Sequence, residues 1–273
     1  MVSRQIGLLM RRELDASLRA RWFYVYSATF LAGGLLLATF GLQNTMVYGY
    51  RGFAKAFAGL VHLALLFVPL MALFPAAAAI AEERESGVLE FLLAQPTSSS
   101  EVFFGKWGGL VLALFLSLTI GFGGAGAVAA VQGVPPSLLL ALYGFVLLLA
   151  LCFVSLGLCF SAVAATRARA LTLGFISWLL LVALGTLGII VAFVRWGLPE
   201  QVLSLWTVVN PVEAFRVAVI SVLDADLSLL GPVGGEVVAR FGRSGTIALM
   251  VVSLAIWSLA PGCFGLWLFR RKV

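Results

Sequence analysis

EERESGVLEFLLAQPTSSSEVFFGK, residues 82–106, is a charged, amphipathic island between two long apolar runs. It opens with Glu82, Glu83, Arg84 and Glu85. Val88, Leu89, Leu92 and Leu93 follow at helical spacing, which gives a short helix one apolar face and leaves Glu83 and Glu90 off it. Pro96 ends that helix, because it lacks an N–H and restricts the residue before it. Ser98 and Glu101 then read as a capping box that starts a second helix. That helix runs through Lys106 into the next apolar segment. A helix–turn–helix lying on a membrane surface and leading rigidly into a span reads as a handle gripped by another protein. The competing reading, a solvated loop, needs neither the apolar face nor the stop at Pro96 and restart at Ser98.

The rest of the chain supplies the membrane. Of 273 residues, 62% are hydrophobic and 11% charged, and mean hydropathy is +1.09. Soluble domains run at about 45–50% apolar and about 25% charged. The fold class is therefore all-α, a polytopic membrane protein. The net charge of +6 does not point to nucleic acid, because the basic residues cluster beside apolar spans. There they set orientation and touch membrane lipid. Cys152, Cys159 and Cys263 lie inside apolar runs and read as small core residues.

Residues 1–21 form an amphipathic helix with Ile6, Met10, Leu14 and Leu18 on one face and Arg11, Arg12, Arg19 and Arg21 around them. Such a helix lies in the interface plane, and Glu13 and Asp15 argue against a cleaved transit peptide. Residues 22–273 then hold six apolar runs, at 22–41, 57–81, 107–131, 137–165, 170–194 and 245–269. Each reaches the ~20 residues a span needs. With the N-terminus inside, twelve of the arginines and lysines fall on the cytoplasmic side and six outside. That bias puts both termini and the 82–106 handle in the cytoplasm.

The segment 195–244 is external. Within it, 201–223 tempts a seventh span, but Glu213 and Arg216 would then sit centrally, at about 2.5–3.5 kcal/mol each. Asn210-Pro211 breaks the helix there, so two short membrane-dipping helices before span 6 are expected. Asn210, Pro211, Glu213 and Arg216 are the candidates for an external gate or for docking a periplasmic partner.

Enzymatic constellations do not survive inspection. His62 is the sole histidine, and it reads first as a packing residue in the second span. No cluster of His, Cys or carboxylate has metal-ligand spacing. Gly105-Lys106 lacks the glycine run that cradles phosphates, so no nucleotide is expected in this chain. The glycine run at 121–126 reads as close helix packing, and Pro69 and Pro75 as kinks in the second span. A lipid-active enzyme would have to use Asp224, Asp226 and Glu236, without a catalytic spacing.

Glu83, Arg84, Glu85, Gly87, Leu89, Glu90, Leu92, Leu93 and Pro96, then Glu101, Gly105 and Lys106, resemble the pattern of ABC-2 type permeases. These are the membrane subunits of ATP-binding-cassette transporters. Asn210-Pro211-x-Glu213-x-Phe215-Arg216 before the last span is similar to the permeases of multicopper-enzyme maturation, notably of nitrous-oxide reductase. The resemblance implies export or conformational work across the cytoplasmic membrane, with ATP and magnesium held by a separate pair of ATPase subunits. It also implies a second permease copy, as a homodimer or a similar half. The ATPase contact would comprise Glu82, Glu83, Arg84, Glu85, Gly87, Leu89, Glu90 and Leu92. Leu89 and Leu92 would enter an ATPase groove, with Glu83, Arg84 and Glu85 pairing at its rim. A scaffold that drives an outside partner without transport shares the same handle.

Overall fold

A computed structural model of the chain describes residues 2–36, 50–95, 97–131, 134–185, 195–197, 199–222 and 231–272, and the single positions 39, 188 and 191. Pro96, Asp224 and Asp226 lie outside the described residues, as do the side chain of Glu236 and the far ends of the first and fifth expected spans. The regular structure is helical: α1 (Val2–Arg19), α2 (Arg21–Leu36), α3 (Tyr50–Glu85), α4 (Val88–Leu93), α5 (Ser99–Val131), α6 (Pro136–Val163), α7 (Arg167–Trp178), α8 (Glu200–Val209), α9 (Pro211–Val222) and α10 (Gly231–Lys272). Leu179–Leu184 prolongs α7 as a π-helix. α10 is interrupted at Gly242, whose φ of 67° belongs to the left-handed region.

Among the described residues, five helical stretches are long and apolar enough to cross a bilayer: Gly59–Glu85, Ser99–Val131, Pro136–Val163, Arg167–Leu184 and Val237–Arg271. The pair α8–α9 makes a sixth if its two arms, bent by 98°, are counted as one span. The described part of α2 has 16 residues. Pro69 and Pro75 are accommodated inside α3 without ending it.

Two long helices organise the packing. α3 and α10 lie along α6, whereas α1 and α2 lie along α5. Lipid gives no hydrophobic drive for helices to associate, so close backbone approach through small residues carries these contacts. A Cβ on Gly157 of α6 would sit 2.6 Å from the Leu73 carbonyl oxygen and 2.7 Å from Ala76 Cβ of α3. On α10, a Cβ at Gly265 would come 2.8 Å from Cys159 Cα. Gly157→Val is expected to force α3 off α6, at about 3 kcal/mol, the upper end of ordinary overpacking. The check is thermal unfolding in detergent: an unchanged midpoint would mean that the α3–α6 contact has slack.

α5 uses its glycines in two groups. Gly105, Gly108 and Gly109 receive Leu9, Met10 and Glu13 of α1, and Gly121 and Gly124 receive Phe30 and Leu31 of α2. The Ser27 and Ser117 hydroxyls add a buried hydrogen bond of 2.9 Å between α2 and α5. The glycine run at 121–126 thus serves packing. The placement of α1 differs from a helix lying only on headgroups. It is docked on α5, and its apolar face is partly covered by the chain itself.

Candidate functional site

The elbow between α3 and α5 begins where Gly87 takes a φ of 75°, a conformation that glycine adopts without a Cβ penalty. This turns the chain out of α3 and into α4, a helix of six residues. The expected capping box closes the other end. The Ser98 amide donates to Glu101 Oε2 at 2.7 Å, and the Glu101 amide donates to Ser98 Oγ at 3.3 Å. α5 therefore runs without a break from the elbow through the span.

Four of the charged residues expected to meet an ATPase, Glu82, Glu83, Arg84 and Glu85, are engaged within the chain, whereas Glu90 is exposed. Arg84 donates from both terminal nitrogens to the carbonyl oxygens of Ser161, Ala162 and Ala164, capping the end of α6. Those carbonyls have no partner inside their own helix, and a cation there also opposes the negative end of the helix dipole. Glu85 accepts from the Arg167 amide at 2.8 Å, a carboxylate at the start of α7, where the dipole favours it. Glu82 pairs with the Arg167 side chain at 3.2 Å. Glu83 faces the other way: its Oε1 is 3.3 Å from Arg12 of α1, and its Oε2 is 2.9 Å from Lys106 of α5. The Lys106 contact is an electrostatic approach without the alignment of a hydrogen bond. Lys106 also donates to Glu13 at 3.1 Å.

Leu89 and Leu92 require a correction. They are 3% and 7% exposed, buried in the chain's own core, and so do not point into a partner's groove. Gly87 and Glu90 are exposed, and Phe91 is 69% exposed on the outward side of α4, with Val88 at its edge. Phe91 is the residue that sequence reasoning missed. The signal was present, since an aromatic opposite an apolar helical face either finds a partner or stays wet.

Asn210 sits at the junction of α8 and α9 and closes both. Its Oδ1 accepts from the Val212 amide at 2.9 Å, and its Nδ2 donates to the Leu181 carbonyl oxygen at 2.9 Å, within the π-helical turn. The end of α8 leaves carbonyls free at Val208 and Val209. Ser253 and Trp257 of α10 donate to them, the indole at 2.7 Å. A broken helix is tolerated in a bilayer only where protein satisfies its backbone, and here α7 and α10 do so. Glu213, 2% exposed, pairs with Arg216 one turn later on α9. Asn210, Pro211 and Glu213 are buried and Arg216 is partly so. They form a pinned, largely buried bend, which leaves little surface for the docking alternative and does not bear on the external-gate alternative.

The chain matches the family model of ABC-2 family transporter proteins over residues 8–272, and it belongs to that family. It is similar to the probable ABC transporter permease protein NosY of Pseudomonas aeruginosa, at 30% identity over 275 residues covering 98% of each chain. It is also similar to the protein of the same description from Stutzerimonas stutzeri, at 28% identity over 235 residues, 83% of this chain and 85% of that one. This is a multi-pass permease subunit, and its family implies an ATPase partner.

Proposed function

We propose that this chain receives the work of a separate ATPase pair through α4 and passes it into the membrane bundle, in company with a second permease copy. ATP and magnesium belong to the ATPase. The elbow faces the cytoplasm, and the work drives export or a conformational change in a periplasmic partner. One observation carries the reading: Phe91 is 69% exposed on a short helix whose other face, at Leu89 and Leu92, is buried in the chain's own core. Aromatic side chains, phenylalanine among them, are enriched at the cores of protein interfaces. Glu82, Glu83, Arg84 and Glu85 are taken up by the chain's own helices, so the contact rests chiefly on shape and apolar area, with Val88 and Glu90 the other exposed residues of α4.

Phe91→Asp is expected to weaken ATPase association by about 30-fold, corresponding to about 2 kcal/mol for a lost aromatic anchor. The measurement is the amount of ATPase that co-purifies with the chain from its native membrane, alongside the unfolding midpoint of the chain. Full recovery of the ATPase with the variant would reject the reading. Loss of both ATPase and fold is addressed by Phe91→Leu, which keeps apolar bulk and should retain most of the complex.

A further inference from the structure

We infer that Lys106 and Glu83 form a positioning latch between two helical bodies of this chain. In one body, α1 and α2 are laid along α5; in the other, α3, α7, α9 and α10 are grouped with α6. Contacts inside each body are backbone-close, at Gly109 and Gly121 in the first and at Gly157 and Gly265 in the second. The seam between them is looser. A cleft of about 740 Å³ opens there at the elbow end, with Ser17, Trp22 and Tyr26 on one wall and Phe74, Ala78 and Leu171 on the other. Cavities of about 460 Å³ and about 100 Å³ follow it between α5 and α6. Walls that lack neighbours forfeit dispersion contacts, so the seam is where displacement disturbs packing least.

Glu83 bridges this seam at the elbow. It reaches Lys106 at 2.9 Å and Arg12 at 3.3 Å, both on the α5 body, while its own backbone belongs to α3. Lys106 is only 5% exposed and is also held by Glu13 from within its own body. A buried cation that loses a carboxylate is left poorly compensated, so the pair resists opening. Trp107 to Ser155 at 3.1 Å and Thr119 to Tyr143 at 2.6 Å also join α5 to α6. They are neutral, whereas the Arg12–Glu83 hydrogen bond across the same seam is charge-assisted, and neutral bonds have about half the strength of charge-assisted ones.

This inference rests on the reading of α4 as the place where an ATPase pushes. A displacement of α4 enters α3 through Gly87. It enters α5 through the capping-box turn and through Glu83–Lys106. With the ion pair closed, both bodies follow the elbow; with it open, α5, α1 and α2 lag behind.

The test uses the full chain in lipid nanodiscs, with Cys263→Ser to remove the exposed thiol. Spin labels are placed at Leu8 on α1 and Thr172 on α7, both exposed, and the distance distribution between them is measured by pulsed electron paramagnetic resonance. Glu83→Gln and Lys106→Met are expected to broaden the distribution and shift it to longer distances. Glu13→Gln, which removes only the partner inside the α5 body, should leave it as in the unsubstituted chain. Lys106→Arg should restore it, since the adjoining cleft leaves room for a guanidinium. An unchanged distribution in Glu83→Gln, or equal broadening in Glu13→Gln, overturns the latch. If Lys106→Met does not fold, Glu83→Gln still decides the matter, because Lys106 keeps Glu13. No ATPase is needed for this readout, so a failure of the coupling reading shows separately, in the Phe91 variants.

Discussion

Asn210→Ala is expected to lower the stability of the bundle by about 2–4 kcal/mol, because it strands one buried and one partly buried backbone group, the first at about 1–3 kcal/mol and the second at the low end of that range. One is the Val212 amide, which loses its Oδ1 acceptor, and the other is the Leu181 carbonyl, which loses its Nδ2 donor. Water cannot substitute freely at a bend enclosed by α7 and α10. Set against the 5–15 kcal/mol that ordinarily separates folded from unfolded chains, the loss is large. The α8–α9 angle should relax as well, so a cysteine at the exposed position Leu205 should change its labelling rate in intact membranes. An unfolding midpoint and labelling rate both equal to those of the parent would show that Pro211 alone holds the bend.

Arg84→Met is expected to be nearly as damaging, at about 3 kcal/mol or more, since hydrogen bonds to charged groups contribute about 1.5–3 kcal/mol each. The guanidinium serves three carbonyls at once, on Ser161, Ala162 and Ala164. Methionine fills much of the volume and satisfies none of them. Arg84→Lys separates charge from geometry: an ammonium retains the favourable interaction with the helix end but cannot fork across three oxygens. The lysine variant should therefore recover less than half of the loss in unfolding midpoint. Complete recovery would mean that charge at the end of α6, not the fork, is what matters. Because Arg84 joins the elbow to the α6–α7 turn, Arg84→Met should also raise hydrogen exchange at Ala164–Arg167.

Much of this architecture could be read from particular residues. Ser98 and Glu101 announced the start of α5, and the apolar runs gave the helices that can cross a membrane. Asn210-Pro211 located the break before the last one. These signals are local, and local chemistry suffices for them. The docking of α1 on α5 was not predicted, although Gly105, Gly108 and Gly109 recur at helical spacing and offered a small-residue face. Phe91 stands off the apolar face of α4, but whether that face meets this chain or a partner is not written in its six residues. Burial of Leu89 and Leu92 depends on helices far away in sequence. The π-helical turn at Leu179–Leu184 left no trace, since LLLVAL suits an ordinary helix equally well; what singles it out is Asn210, twenty-nine residues on. The charged run at 82–85 was legible as the turn out of the second span, and its partners are Arg12, Lys106, Arg167 and the end of α6. Charge pattern alone does not distinguish an intramolecular tie from an interface.

The unbroken course of α5 has a mechanical meaning. Its 33 residues make a rod about 50 Å long, exceeding the ~30 Å of a bilayer's hydrocarbon. It has no joint at which strain could dissipate, and α2 grips it near its far third at Gly121 and Gly124. With α1 seated at Gly105, Gly108 and Gly109 as well, the rod moves with α1 and α2 as one piece, so a sideways nudge of the Ser98 end would carry to the Val131 end in the same sense.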